Sequence, residues 1–140
     1  MTCYQKTFSL PPFKRGFHLI TRAIESAMPE LKNIKVGVAQ IFIHHTSASL
    51  TINENADPTV RGDFERHFNV MVPENASYYK HDSEGPDDMP AHIKCSLLGS
   101  SVNLPVTGGA FNLGIWQGIY LCEHRDQAVG RGITVTIMGE

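Results

Sequence analysis

Lys35-Val36-Gly37-Val38-Ala39-Gln40-Ile41-Phe42-Ile43-His44-His45 is the most strand-like run in the chain. Successive side chains of a strand point to opposite faces. Val36, Val38, Gln40, Phe42 and His44 therefore share one face, and Gly37, Ala39, Ile41, Ile43 and His45 the other. Upstream, Tyr4–Leu10 alternates in the same way until Pro11-Pro12 breaks it, and Gly16–Ile20 returns as a second strand. Thr21 can cap a short helix with Ala23, Ile24, Ala27 and Met28 on one face. Pro29 stops it, because the residue before proline avoids the helical region.

Downstream, Ala48–Ile52 reads as a short strand. Asp57-Pro58 predicts a helix start, with Asp at the N-cap and Pro at the first helical position. That helix runs to about Met71, with Val60, Phe64, His67, Phe68 and Met71 inward, and Val72-Pro73 ends it. Residues 73–90 are polar, carry five acidic side chains and read as a function-bearing loop. Pro90 then opens a short apolar turn, Ala91–Leu98. Ser101–Val106, Gly118–Arg125 and Arg131–Met138 read as three more strands, with Pro105 placing the first at an edge or ending it early. Many strands, two or three short helices and no regular βαβ alternation predict an α+β fold in one domain spanning residues 1–140.

Twelve basic and fourteen acidic residues leave a net charge of −2, which argues against nucleic acid or an anionic membrane as the main partner. Charged residues make up only 19%, below the usual ~25%, which points to a surface covered by a partner chain. Three cysteines without a C-x-x-C argue against a disulfide framework or a zinc knuckle. No apolar run has the length of a signal peptide or a membrane span, so the expectation is a cytoplasmic protein.

Seven histidines point instead to metal or proton chemistry. His44 and His45 face opposite ways on their strand, so they cannot serve one site together. His45 ends an apolar row; it is either a ligand or a ring satisfied by a backbone carbonyl. His81 and His92 flank the acidic loop. With His45 they can form a three-histidine site with an open position, although the spacing matches no compact zinc motif. The Thr46 and Ser47 hydroxyls can bind phosphate oxygens or serve an ordinary turn. Glu54 is free for acid/base work or is a solvated turn residue. Asp63 lies four residues before His67 and can orient its ring or form a surface pair. Glu123 sits in an apolar alternation and needs a partner, and Arg131 can pair with a carboxylate or a phosphate. Trp116-Gln117 reads as core and interface packing.

The segments His45-Thr46-Ser47-Ala48-Ser49, Asn53-Glu54-Asn55, Asp57-Pro58, Ala91-His92-Ile93-Lys94, Leu97-Leu98-Gly99-Ser100-Ser101, Leu104-Pro105-Val106, Gly114, Trp116-Gln117 and Glu123 together resemble the YjbQ-like family, also called the secondary thiamine-phosphate synthase family. The resemblance spans about Tyr4 to Gly139. It implies a compact β-sandwich-like domain assembled as a homotrimer, with sites near subunit boundaries. It implies thiamine-phosphate synthase activity, joining a pyrimidine diphosphate to a thiazole phosphate, as a secondary role. The matching positions are His45, Glu54, Asp63, His81, His92 and Glu123, with Arg131 at a basic position. Two departures are the doubled His44 and the Gly132 that follows Arg131, where relatives often carry a second basic residue.

The expected site follows from these residues. His45, His81 and His92 hold a divalent metal, Zn²⁺ or Mg²⁺; Glu54, Asp63 and Glu123 orient ligands or move protons; Arg131, Thr46 and Ser47 hold phosphate. The alternatives are metal-assisted hydrolysis of a small phosphorylated metabolite, and a trimer that binds metal or metabolite without catalysis.

Overall fold

The computed structural model describes residues 1–140. The strands are β1 (Thr2–Ser9), β2 (Gly16–Leu19), β3 (Val36–Ile43), β4 (Ala48–Glu54), β5 (Ser101–Thr107), β6 (Ala110–Phe111), β7 (Gln117–Glu123) and β8 (Gly132–Gly139). The helices are α1 (Thr21–Ala27), α2 (Pro58–Met71) and α3 (Asp88–Leu98), with a 3₁₀ turn over Pro29–Asn33. A five-stranded antiparallel sheet, β1-β8-β3-β5-β6, faces a three-stranded one, β2-β7-β4. The architecture is mixed α+β.

β3 lies at the middle of the large sheet, with Ile41 opposite Val102 on one side and Val135 on the other. Its alternation is realised: Ala39, Ile41 and Ile43 are buried, while Val36, Val38 and Phe42 are exposed. The buried row meets Leu50, Ile119 and Leu121 of the small sheet. The α1 residues Ile24 and the adjoining Met28, with Leu31 and Ile34 around the 3₁₀ turn, join the same core. Behind the small sheet, Phe17, Tyr120 and Cys122 pack under Phe64 and Phe68 of α2 and Leu98 of α3. The layers are therefore large sheet, small sheet and helix pair. β7 is covered on both faces, which is why its sequence shows no clean polar alternation.

Several local expectations are corrected. Ala91–Leu98 is no short turn but part of α3, an eleven-residue helix that begins at Asp88. Pro90 is tolerated there because the first turn has no intrahelical N–H bond to lose. Gly99, at φ 104°, ends the helix in a conformation that side-chain-bearing residues avoid. α2 has no fully buried residue; Phe64 and Phe68 are half-buried, whereas His67 and Met71 are exposed. Ile20, not Thr21, occupies the N-cap of α1, and the Thr21 hydroxyl accepts a 2.9 Å bond from the Ile119 N–H. Trp116 is not core in this chain, since 63% of it is exposed.

Other local expectations hold. Asp57 caps α2 by accepting from the Thr59 N–H at 2.9 Å, with Pro58 next in line. The Pro105 carbonyl accepts from Asn112 at 2.8 Å on the β6 side. Its nitrogen points the same way, so the missing donor spares the ladder with β3. The expected edge placement or early end is corrected: β5 is neither the edge strand, since β6 flanks it, nor cut short, since it runs to Thr107. All three cysteines are free thiols. No helix is long and apolar enough to cross a membrane.

Candidate metal centre

Four chain segments meet at one end of the sandwich: the end of β3, the start of β4, the end of β7 and the start of β8. The registers bring Ala48 opposite Glu123 and Ile43 opposite Ile133. The corner His44–Ser47 crosses this end, and α3 lies against β4.

The corner is fastened from below by a buried ion pair. Arg131 Nε donates to Glu123 Oε1 at 2.7 Å, and Arg131 Nη2 donates to Glu123 Oε2. The same Nη2 reaches the Ser47 carbonyl at 3.2 Å, and the Arg125 N–H donates to Glu123 Oε2 at 3.2 Å. The carboxylate on the apolar strand thus has the partners its burial requires. Beside it, His45 Nε2 accepts the Gly132 N–H at 2.8 Å. Burial, with Arg131 nearby, keeps this imidazole below its ordinary pKa, so it serves as a neutral acceptor.

Above the corner, Asp88 and His92 sit four residues apart on α3 and so share a face. Asp88 is only 1% exposed. His81, from the loop before α3, brings Nε2 to 2.7 Å from Asp88 Oδ2, and His92 Nε2 lies 3.1 Å from the same oxygen. The other Asp88 oxygen, Oδ1, accepts from Arg125 Nη1. Burial pushes the Asp88 carboxyl up. The bond to His81 and the charges of His92 and Arg125 outweigh that and hold it below the usual carboxylate range.

The second nitrogen of His92 decides what this cluster can hold. His92 Nδ1 lies 2.9 Å from the Thr46 carbonyl, which can only accept, so Nδ1 carries the proton. The Nε2 of a neutral ring then presents a lone pair to a carboxylate oxygen. Two acceptors at 3.1 Å repel unless a cation, a proton or a metal ion, lies against both. A ring whose far N–H is tied to a backbone carbonyl is also the usual arrangement of a metal-ligating histidine. One ligand atom from each of His81, Asp88 and His92 lies within 4.8 Å of the other two. The donor set fits a divalent ion. Cavities flank it: one of about 240 Å³ lined by Tyr79, His81 and Met89, and one of about 540 Å³ lined by His45, Thr46, His92 and Cys95.

The fold thus brings His81 and His92 together, while His45 shares only the larger cavity with His92. Thr46 and Ser47 contribute carbonyls at the corner, to His92 and Arg131 respectively. Glu123 and Arg131 hold each other beneath it. Glu54 lies at the far end of β4, about 20 Å from the corner at the usual strand rise. Its carboxylate accepts from the Ala56 and Asp57 N–H groups at 3.0–3.2 Å and shapes the turn into α2. Asp63 is exposed and pairs with Arg66 at 2.5 Å rather than with His67. Neither Glu54 nor Asp63 joins the cluster.

Sequence reasoning missed Asp88 and Arg125. The signal for Asp88 was its i, i+4 spacing to His92, invisible while 91–98 read as a turn. A second buried group, His124, donates to or accepts from Ser49 Oγ at 2.8 Å. Burial first, then the charges of Lys94, Arg15 and Arg131, push its pKa down to about 3.

Known proteins share both sequence and fold with this chain. Residues 6–140 match the family model described as UPF0047 protein YjbQ-like. The UPF0047 protein YjbQ of Salmonella typhimurium is 53% identical over 98% of this chain and 99% of its own length. Its namesake in Escherichia coli O157:H7 is 50% identical over the same shares. A YbjQ-like protein of unknown function from Sulfolobus solfataricus superposes with a TM-score of 0.87, covering 99% of both chains at 26% identity. An uncharacterised yjbq/upf0047 protein from Clostridium acetobutylicum gives 0.84 at 38% identity, over 95% of this chain and 99% of that one. The chain belongs to the UPF0047 protein YjbQ-like family.

Proposed function

We propose that the protein is a small-molecule enzyme that holds a divalent metal on His81, Asp88 and His92 and acts on a phosphorylated metabolite. The observation that carries this reading is the His92 ring, whose Nδ1–H is tied to Thr46 while its Nε2 is aimed at Asp88. A divalent ion bound there supplies a Lewis acid for a phosphoryl oxygen and lowers the pKa of water. Two imidazoles and one carboxylate oxygen suit Zn²⁺ or a similar ion better than Mg²⁺, which prefers oxygen ligands. Metal-assisted hydrolysis of a phosphate ester is therefore the reaction the geometry supports best.

The chain's own groups have definite tasks in this reading. Thr46 fixes the His92 ring through its carbonyl. The Glu123–Arg131 pair keeps the Ser47 end of the corner from moving. His81 is half exposed and comes from a loop, so it can yield to an incoming ligand. Hydroxyls of Thr46, Ser96 and Ser100 line the larger cavity and can donate to phosphate oxygens.

Thiamine-phosphate synthase-like transfer is the second reading. The cavities on either side of the cluster favour it, because two substrates must meet there. Protein purified without a His-tag should carry about one metal per chain, and His92→Ala and Asp88→Asn should lose it. The loaded protein should then release phosphate from at least one of a panel of phosphate esters, or join the pyrimidine diphosphate to the thiazole phosphate. Absence of metal from wild type after loading refutes the centre. Metal bound with every substrate unchanged over hours refutes the enzyme and leaves a binding protein.

The homotrimer is a related proposal. The outward face of the large sheet carries Gln5, Thr7, Val38, Gln40, Phe42, Asn103, Thr134 and Thr136, and no Asp, Glu, Lys or Arg lies among its outward strand positions. An uncharged sheet face with Phe42 and Val38 at its middle is suited to burial against other copies. Light scattering should give three times the chain mass, and Phe42→Lys should lower it. A wild-type monomer at micromolar concentration refutes the assembly.

A further inference from the structure

Arg125 lies just beyond β7, and its side chain reaches the start of α3 and the loop before it. Its Nε donates to Asp87 Oδ2 at 2.8 Å, its Nη1 to Asp88 Oδ1, and its Nη2 to the Glu84 carbonyl at 2.9 Å. The Asp126 N–H adds a 2.9 Å bond to Asp87 Oδ2, and the Arg125 N–H ties the strand end to buried Glu123. One planar fork thus fixes two consecutive carboxylates and the loop before them, a task a lysine point charge cannot do. The two oxygens of Asp88 are left with different partners. Oδ1 belongs to Arg125, and only Oδ2 faces His81 and His92.

We infer that Arg125 is a positioning residue that restricts Asp88 to one-oxygen ligation and so sets the metal selectivity of the centre. The inference rests on the metal reading above. Ca²⁺ takes six to eight oxygens and often uses both oxygens of a carboxylate, and Mg²⁺ demands an octahedral oxygen shell. Zn²⁺ is content with four ligands, including two imidazoles. With Oδ1 occupied by the guanidinium, the cluster offers a single protein oxygen beside two nitrogens. Hard ions lose the ligand they would use; Zn²⁺ and Co²⁺ do not.

This role can be separated from the two simpler ones. If Arg125 acted only by its charge, removing it would raise the affinity for every divalent ion alike. If it acted only as a structural tie, removing it would lower every affinity alike. Restriction to one oxygen alone changes the ratio between ions.

The test compares Kd for Zn²⁺, Co²⁺ and Ca²⁺ in wild type, Arg125→Met, Arg125→Lys and Asp87→Asn, each started metal-free. Asp87→Asn loosens the guanidinium without touching a ligand, and it supplies a folded variant should Arg125→Met fail to fold. The Zn²⁺-over-Ca²⁺ preference should fall by about tenfold or more in Arg125→Met, the scale of lost outer contacts at metal sites. It should fall less in the other two variants. The Co²⁺ visible absorption should weaken in Arg125→Met as coordination departs from tetrahedral. A preference unchanged in every folded variant overturns the inference while leaving the metal reading intact. Equal affinities in wild type and Asp88→Asn overturn the metal reading, and the inference with it.

Discussion

Removing the Glu123 carboxylate should be among the most damaging single changes in this chain. Arg131 is 7% exposed at its side chain and Glu123 fully buried, so neither charge has water as a substitute partner. In Glu123→Ala the guanidinium keeps only the 3.2 Å bond to Ser47, and the Arg125 N–H loses its acceptor. Two charge-assisted bonds at about 1.5–3 kcal/mol each give a loss of about 3–6 kcal/mol. Broken buried ion pairs lose about 3–5 kcal/mol, which agrees. Glu123→Gln retains one acceptor and should lose about 2–3 kcal/mol. Urea unfolding with an unchanged m value measures both. The paired change Glu123→Leu with Arg131→Met removes both charges and should recover much of the loss, because an apolar pair of similar volume needs no desolvation. A loss under about 1 kcal/mol in Glu123→Ala would refute the argument that this pair fastens the corner.

Three further outcomes follow from the same geometry. His124 has its pKa pushed down to about 3 in the folded protein, against an ordinary value near 6.5. The unfolded chain therefore binds a proton first as pH falls. The neutral ring's contribution is complete above about pH 6.5 and is lost progressively toward pH 3, with about 2 kcal/mol gone by pH 5. His124→Asn should flatten that part of the stability–pH curve, and parallel curves for the two proteins would contradict it. A Cβ on Gly37 would lie 2.2 Å from the Met138 carbonyl, so Gly37→Ala should cost about 1–3 kcal/mol by forcing β3 and β8 apart; an unchanged melting temperature would count against this register. Asp57→Ala removes the acceptor for the Thr59 N–H and should cost about 1 kcal/mol in thermal or urea unfolding; a change below a few tenths would show the cap to be idle.

The local code was legible wherever one face of an element meets the core and the other meets water. β3 shows this best, because its buried row of Ala39, Ile41 and Ile43 is written as strict alternation. The start of α2 was legible for a different reason: Asp57-Pro58 carries its own stop-and-start chemistry, independent of packing. α3 was not legible. Its inward residues are Asp88, Ala91, Lys94 and Cys95, so its buried face is partly charged and hides the apolar period that marks a helix. The same polar burial is what makes it the carrier of the cluster.

Sequence alone was enough for the α+β class, for most strand positions and for the family, since these depend on short-range periodicity and on motifs spread along the chain. It also singled out His81 and His92. What joined them to Asp88 was the helical form of Asp88–Leu98, which sets Asp88 and His92 on one face beside His81, and what set His45 aside was the Gly132 N–H that a neighbouring strand brings to its Nε2. The first is local but was hidden by the partly charged buried face of α3; the second joins segments far apart in the chain. A strand fixes which way a side chain points, but which partner waits there depends on how sheets and helices stack, and only the packed structure carries that information.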